Sequence, residues 1–275
     1  MSRPGSAIGV PLLVVVGSAA AAFFGGVAVQ PAPEVEIAGY ATTLRGRTPG
    51  QRHNARLAAA ALNGKAIPPN GVFSFNRAVR SWSVDRGYVK APVSYDGEMV
   101  PAFGGGVCQT STTLYNAALL AGLAVVERHP HVFAPRYAAP GRDAAVAYPN
   151  IDLRFRNPYP WPVRVQARAD DERLEVRLFG ARRPTGSVEI VPHVLSAVPA
   201  VRLTRVVRAA DRPGASASGR AFVRSPGISG YRVVTYRVVT EGDREKLRER
   251  LSDDTYPAMN RVVQMTDDER PAAQF

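Results

Sequence analysis

Hydrophobic positions along this chain switch between a period of two and a period near 3.6, and the switches mark its elements. An extended run over residues 35–44 comes first. Residues 51–63 read as a short helix with Leu57, Ala58, Ala61 and Leu62 as its apolar stripe, ended by Asn63-Gly64. After the Pro-Pro-Asn-Gly turn signal at 68–71, Val72, Phe73 and Phe75 predict a short buried strand. Residues 87–99 predict two extended arms around Asp96-Gly97. The pattern centres on residues 104–123, GGGVCQTSTTLYNAALLAGL. Three glycines lead into the only cysteine, and a Thr/Ser cluster of good helix-capping types follows. A helix then carries Leu114, Ala118 and Ala121 on one face and stops at Gly122.

Beyond it, residues 123–127 predict a strand, and 128–137 a proline-punctuated loop with two histidines. Residues 144–148 and 151–156 predict two more strands; in the second, Ile151, Leu153 and Phe155 alternate with Asp152, Arg154 and Arg156. Residues 163–178 form a hairpin pattern turning at 169–172. The Pro-, Ser- and Arg-rich stretch 181–219 reads as a connector with a weak strand at 187–191. Strands follow at 220–225 and 231–240, the second a tandem copy, YRVVT-YRVVT. A five-residue repeat changes face at each copy, so it encodes a strand and not a solenoid. Residues 241–250 read as a charged turn or short helix, before a polar, frayed end. The class expected is α+β: a mixed or antiparallel sheet packed on a central helix that begins near Cys108, plus a small β-rich C-terminal extension. The divisions are 1–30 signal peptide or anchor, 31–50 linker, 51–180 core domain, 181–219 connector and 220–275 tail.

Residues 7–30 carry no charge, with Arg3 before them and Glu34 and Glu36 after. This run is long enough to span a bilayer, and small residues near its end also suit a signal peptidase. Either reading exports the body, so the expected location is extracytoplasmic, membrane-anchored or secreted. The formal net charge of +12 comes almost wholly from arginine. On an exported protein it favours anionic wall polymers or peptidoglycan as partners. No basic run is interleaved with aromatics, so nucleic acid is not an expected partner.

A lone cysteine excludes an intrachain disulfide and, in an exported protein, marks either a free reactive thiol or a small buried hydrophobe. Cys108 stands at or just before a helix start, where unpaired N–H groups favour a thiolate. His129 and His131 lie about one strand later, with Asp143 and Asp152 beyond them as candidates to orient a histidine base. The candidate catalytic set is therefore Cys108, His131, Asp143 and Asp152. The candidate binding set is Gly104, Gly105, Gly106 and Gln109, with amides near Cys108 and Gln109 as oxyanion donors. Zinc held by Cys108, His129 and His131 is a competing use of the same residues, but Pro130 intervenes and no fourth ligand is evident, so no metal is expected. The glycine triplet lacks the features of a phosphate or dinucleotide loop, and no cofactor is expected.

Five stretches in order, NGKAIPPNGVFSFN (63–76), GYVKAP (87–92), GGGVCQTSTTLYNAALLAGLAVVERHPH (104–131), PGRDAAVAY (140–148) and DLRFRNPYPWPVRVQA (152–167), resemble the VanW family. That resemblance implies export, a cell-envelope setting and a link to peptidoglycan or glycopeptide resistance, with no established reaction. The order of Cys108, helix, strand and His131 is similar to the core of transglutaminase-like and papain-like cysteine enzymes. By that likeness His131 would be the base and Asp143 or Asp152 its orienter. Two functions are expected from this: a cysteine-dependent hydrolase or transferase on peptidoglycan peptides, or a non-catalytic wall-binding module in which Cys108 is structural.

Overall fold

The computed structural model describes residues 34–95, 98–206 and 222–265. The uncharged run at 7–30 and the Asp96-Gly97 turn lie outside them. Among the described residues no helix is long and apolar enough to cross a membrane. The chain runs β1 (Val35–Thr43), α1 (Pro49–Leu62), β2 (Ala66–Ile67), β3 (Val72–Ser74), α2 (Phe75–Val79), β4 (Lys90–Tyr95), β5 (Glu98–Phe103), α3 (Val107–Leu120) and β6 (Ala124–Glu127). It continues through β7 (Arg154–Arg156), β8 (Val163–Ala169), β9 (Arg173–Gly180), β10 (Ser187–Val198), β11 (Arg202–Val206), β12 (Phe222–Ile228), β13 (Gly230–Glu241), β14 (Arg244–Tyr256) and β15 (Met259–Met265). In place of the single expected sheet there are several small ones, mostly antiparallel.

The core forms between α1, α3 and a four-stranded sheet in the order β1-β9-β8-β2. Alternate residues of the hairpin, Val163 and Val165 on one arm and Leu174, Val176 and Leu178 on the other, are buried against the helices. Helix α1 starts where Thr48 and Gln51 cap each other reciprocally, at 3.2 and 3.1 Å, with Pro49 preset for a first turn. Its buried face is rotated from the predicted stripe, since Asn54, Ala55 and Ala59 are inside while Leu57 and Ala61 are half-buried. Asn54 tolerates burial because its side chain is fully bonded: it donates to Val89 and Gly105 carbonyls, both at 2.9 Å, and accepts from the Val89 N–H at 2.9 Å.

The stretch read as a connector contains β10, which pairs along most of its length with β13, and β11, which runs parallel to β15. The charged stretch after 241 is no helix but β14, antiparallel to β13. Its charges hid a strand because one face is solvated and several acids meet arginines, as Glu249 meets Arg237. The expected strand 144–148 reduces to isolated bridges, His129 with Ala145 and Ala147 with Ile151, while the expected strand 151–156 survives as β7 over its last three residues. The backbone there bonds to side chains: Ala144 takes hydroxyls from Ser111 and Thr112, and Asp152 accepts from the N–H groups of Asn76 and Leu153.

Candidate active site

The glycine triplet is a close-packing device. Gly104 and Gly106 have φ of 87° and 108°, and a Cβ on Gly106 would stand 2.3 Å from the Gln51 carbonyl oxygen. A Cβ on Gly104 would enter the Trp82 ring, at 2.2 Å. The glycines thus let the loop pass under Trp82 and against α1 before α3 begins, with Gly106 as its N-cap. We expect Gly106→Ala to cost at least about 2 kcal/mol, from the disfavoured backbone angle plus a clash with backbone that cannot swing away. Urea unfolding of the two forms measures it.

Cys108 is the second residue of α3. The polar residues after it are buried rivets and not caps. Gln109 donates to Thr42 Oγ1 at 3.0 Å and to the Thr43 carbonyl at 2.8 Å, and Thr113 bonds Thr42 at 2.9 Å. These tie α3 to β1. On the other side Ser111 donates to the Ala144 carbonyl at 2.6 Å, Thr112 accepts from the Ala144 N–H at 3.0 Å, and Asn116 bonds both the carbonyl and the guanidinium of Arg142. The helix that presents Cys108 therefore also pins the residues on either side of Asp143.

Asp143 is fully buried and points at His131: its Oδ2 accepts from His131 N–H at 2.7 Å and lies 2.6 Å from Nδ1. Its Oδ1 accepts from Arg128 at 3.1 Å and from the Tyr256 hydroxyl at 2.5 Å. Arg128 also grips Asp254 through two bonds of 2.6 and 2.7 Å. Arg128, Asp254 and Tyr256 are thus a buried, mutually satisfied polar group contributed partly by β14. Tyr137 places its hydroxyl 3.3 Å from His131 Nε2.

The electrostatics follow. Burial penalises the charged form of His131, but the bond to Asp143 and the facing Cys108 outweigh it and raise its pKa to about 9. Burial likewise pushes the Cys108 thiol up, and the hydrogen bond and charge of His131 more than reverse this, leaving it below the ordinary thiol value. Asp143 stays below the usual carboxylate range because His131, Arg128 and Tyr256 offset its burial. The arrangement favours a thiolate–imidazolium pair with a carboxylate behind it. Cys108 remains partly exposed.

The structure brings Cys108, His131 and Asp143 together. Asp152 stands apart, accepting from Ser74 at 2.5 Å and from the Asn76 N–H at 2.8 Å at the start of α2. His129 turns to Glu127, at 3.1 Å. Gln109 is occupied in the core by its side chain, and its N–H donates to the Gly106 carbonyl at 3.2 Å. The Val107 N–H donates to Gly104, so among the described residues the Cys108 amide is the one of these first three left without a partner. A shallow depression on β1 and β9, lined by Glu36, Tyr40, Arg173, Glu175 and Arg177, includes none of the three. Arg47, Arg128, Tyr137 and Tyr256 were not foreseen from sequence; only the facing of elements distant in sequence identifies them.

A cysteine at a helix start, its Sγ 3.4 Å from the Val146 carbonyl, beside a histidine hydrogen-bonded to a buried aspartate defines a candidate nucleophilic site on a sheet-rich α+β domain. The family model described as VanW like protein matches residues 50–179, which contain all three, so this stretch of the chain is VanW-like. "Uncharacterized protein YoaR" of Bacillus subtilis is 33% identical over 164 residues, 60% of this chain and 54% of that protein. "Vancomycin B-type resistance protein VanW" of Enterococcus faecalis is 32% identical over 143 residues, 50% of this chain and 52% of that protein. The chain spans about half the length of these curated relatives. Two solved G5 domains, HP0197-G5 and that of an IgA1 protease, each cover 30% of this chain at 18% and 17% identity, with TM-scores of 0.16 and 0.18.

Proposed function

We propose that this protein is an extracytoplasmic cysteine-dependent hydrolase or acyl transferase acting on peptides of the cell wall. The observation that carries the reading is the 2.6 Å contact of Asp143 with His131 Nδ1, which turns the other side of the imidazole toward the Cys108 thiol and the Tyr137 hydroxyl. In the first step the Cys108 thiolate adds to a peptide carbonyl carbon, and the Cys108 amide stabilises the oxyanion. The C–N bond then breaks as the His131 imidazolium gives its proton to the departing amine, leaving a thioester. Water or a second amine next attacks that thioester, passes its proton to His131 and restores the thiolate.

Peptidoglycan is the substrate class we favour, because the relative named VanW is called a vancomycin resistance protein and the uncharged run at 7–30 suits export. The arginine-rich surface would assist approach to anionic wall polymers. The test is incubation with defined muropeptides, followed by mass spectrometry of both peptides and protein. The expected result is peptide cleavage or exchange, with a thioester adduct on Cys108 that is absent in Cys108→Ala. Salt-sensitive retention on isolated wall, unchanged in Cys108→Ser and with no turnover, would replace this reading with a binding module.

A further inference from the structure

The Tyr137 side of the site carries a charge that the three-residue scheme leaves unused. Arg47, in the turn between β1 and α1, lays its guanidinium over the Tyr137 ring, 5.0 Å from the centroid. The hydroxyl of that same ring lies 3.3 Å from His131 Nε2. The Arg47 backbone is committed, its N–H to Leu44 at 3.0 Å and its carbonyl to Arg52 at 2.8 Å, so its position is fixed. Its side chain has no hydrogen-bond or carboxylate partner among the described residues, although it is half-buried. Neighbouring arginines behave otherwise: Arg45 pairs with Glu172 and Arg56 with Asp171. Partial burial lowers the Arg47 pKa, as expected for a cation without a counterion.

We infer that Arg47 is a specificity residue that receives a substrate carboxylate beside Cys108. A guanidinium held over an aromatic ring, with none of its N–H donors bonded among the described residues, offers those donors to the two oxygens of a carboxylate. Stacking also removes much of the rotamer entropy that a free arginine loses on binding. This rests on the nucleophile reading and adds the substrate's form: a peptide with a free carboxylate near the carbonyl that Cys108 attacks. A peptide-chain terminus or an acidic side chain next to the reacting bond supplies that chemistry.

The test needs no substrate. Full-length protein is alkylated with N-iodoacetylglycine and with its neutral amide, and the acid-to-amide rate ratio at Cys108 is taken for wild type, Arg47→Gln and Arg47→Lys. Using the ratio cancels any change in the thiol itself. The expected result is a ratio that falls on the order of tenfold in Arg47→Gln and partly recovers in Arg47→Lys, which keeps the charge but not the planar fork. Equal ratios in all three proteins, with Cys108 reactive, would overturn the Arg47 assignment while leaving the nucleophile standing. A thiol inert to both reagents until unfolding would instead remove the nucleophile reading on which the assignment depends. Thermal melts of the variants confirm that folded proteins are being compared.

Discussion

Alkylation of Cys108 by iodoacetamide at pH 6 is expected to run at least about tenfold faster in the wild type than in His131→Ala. An ordinary thiol, with pKa about 8.5, is only about 0.3% thiolate at that pH. Paired with imidazolium, Cys108 holds its negative charge below the ordinary thiol value, while His131 holds its proton up to about 9. Between those limits the pair is charged and reactive. A more acidic thiol is also a weaker nucleophile, which returns roughly half of the gain on a logarithmic scale, so the net effect is smaller than the thiolate ratio. On the acid side the rate falls as Cys108 takes up a proton. Above about 9 the imidazolium is lost, so the thiolate persists but can no longer protonate a leaving amine.

In His131→Ala burial, the largest influence on Cys108, and the nearby Asp143 charge still raise the thiol pKa, while the strongest influences that lower it are gone. The alkylation profile should therefore shift toward or above the ordinary thiol range, with little reaction at pH 6. Profiles that coincide for the two proteins would mean that the imidazole does not govern the thiol.

The sequence disclosed the parts of this site that depend on local order. A glycine turn, a cysteine and a helix are contiguous, and His131 follows within one strand, so Cys108 and His131 could be named together. Asp143 and Asp152 could not be separated, because the distinction is tertiary. Asp152 is drawn to the N–H groups at the start of α2, whereas Asp143 is held where α3 rivets its neighbours Arg142 and Ala144. Those rivets were themselves misleading, since TSTT after a cysteine reads as capping chemistry until burial shows the hydroxyls of Ser111, Thr112 and Thr113 reaching other elements. The repeat YRVVT-YRVVT did signal that its copies face opposite ways. Arg232 is exposed near Asp253, while Arg237 is buried and bonds the Leu123 carbonyl at 2.7 Å. What composition concealed was β14 and the second half of β10, of which only 187–191 reads as a strand, because their prolines, serines and charges suit strands solvated on one face.

Replacing Asp143 by alanine should destabilise the protein by about 3–5 kcal/mol, the range for removing one partner from a buried charge network. The carboxylate accepts four bonds while wholly inaccessible to water, and of its donors only Arg128 has a second carboxylate at hand. Arg128 keeps Asp254, which moderates the loss, but the buried Tyr256 hydroxyl, which still accepts from the Gly141 N–H at 3.0 Å, loses the acceptor for its own proton. Asp143→Asn should cost less, because it preserves shape and one acceptor. The pH dependence distinguishes charge from packing. Because its pKa is depressed on folding, Asp143 stabilises the fold fully above about pH 4 and loses that contribution as pH falls through its lower folded value. Asp143→Asn should therefore narrow the gap to wild type at acid pH, as measured by urea midpoints between pH 3 and 7. Tyr256→Phe separates the two roles of the network: it removes one bond from Oδ1 and leaves the 2.6 Å contact at Oδ2, so it should lower stability by about 1–2 kcal/mol. Its effect on the Cys108 alkylation profile should be small beside that of Asp143→Asn. An Asp143→Asn protein that alkylates and unfolds like the wild type at every pH would show that the carboxylate neither orients His131 nor anchors β14.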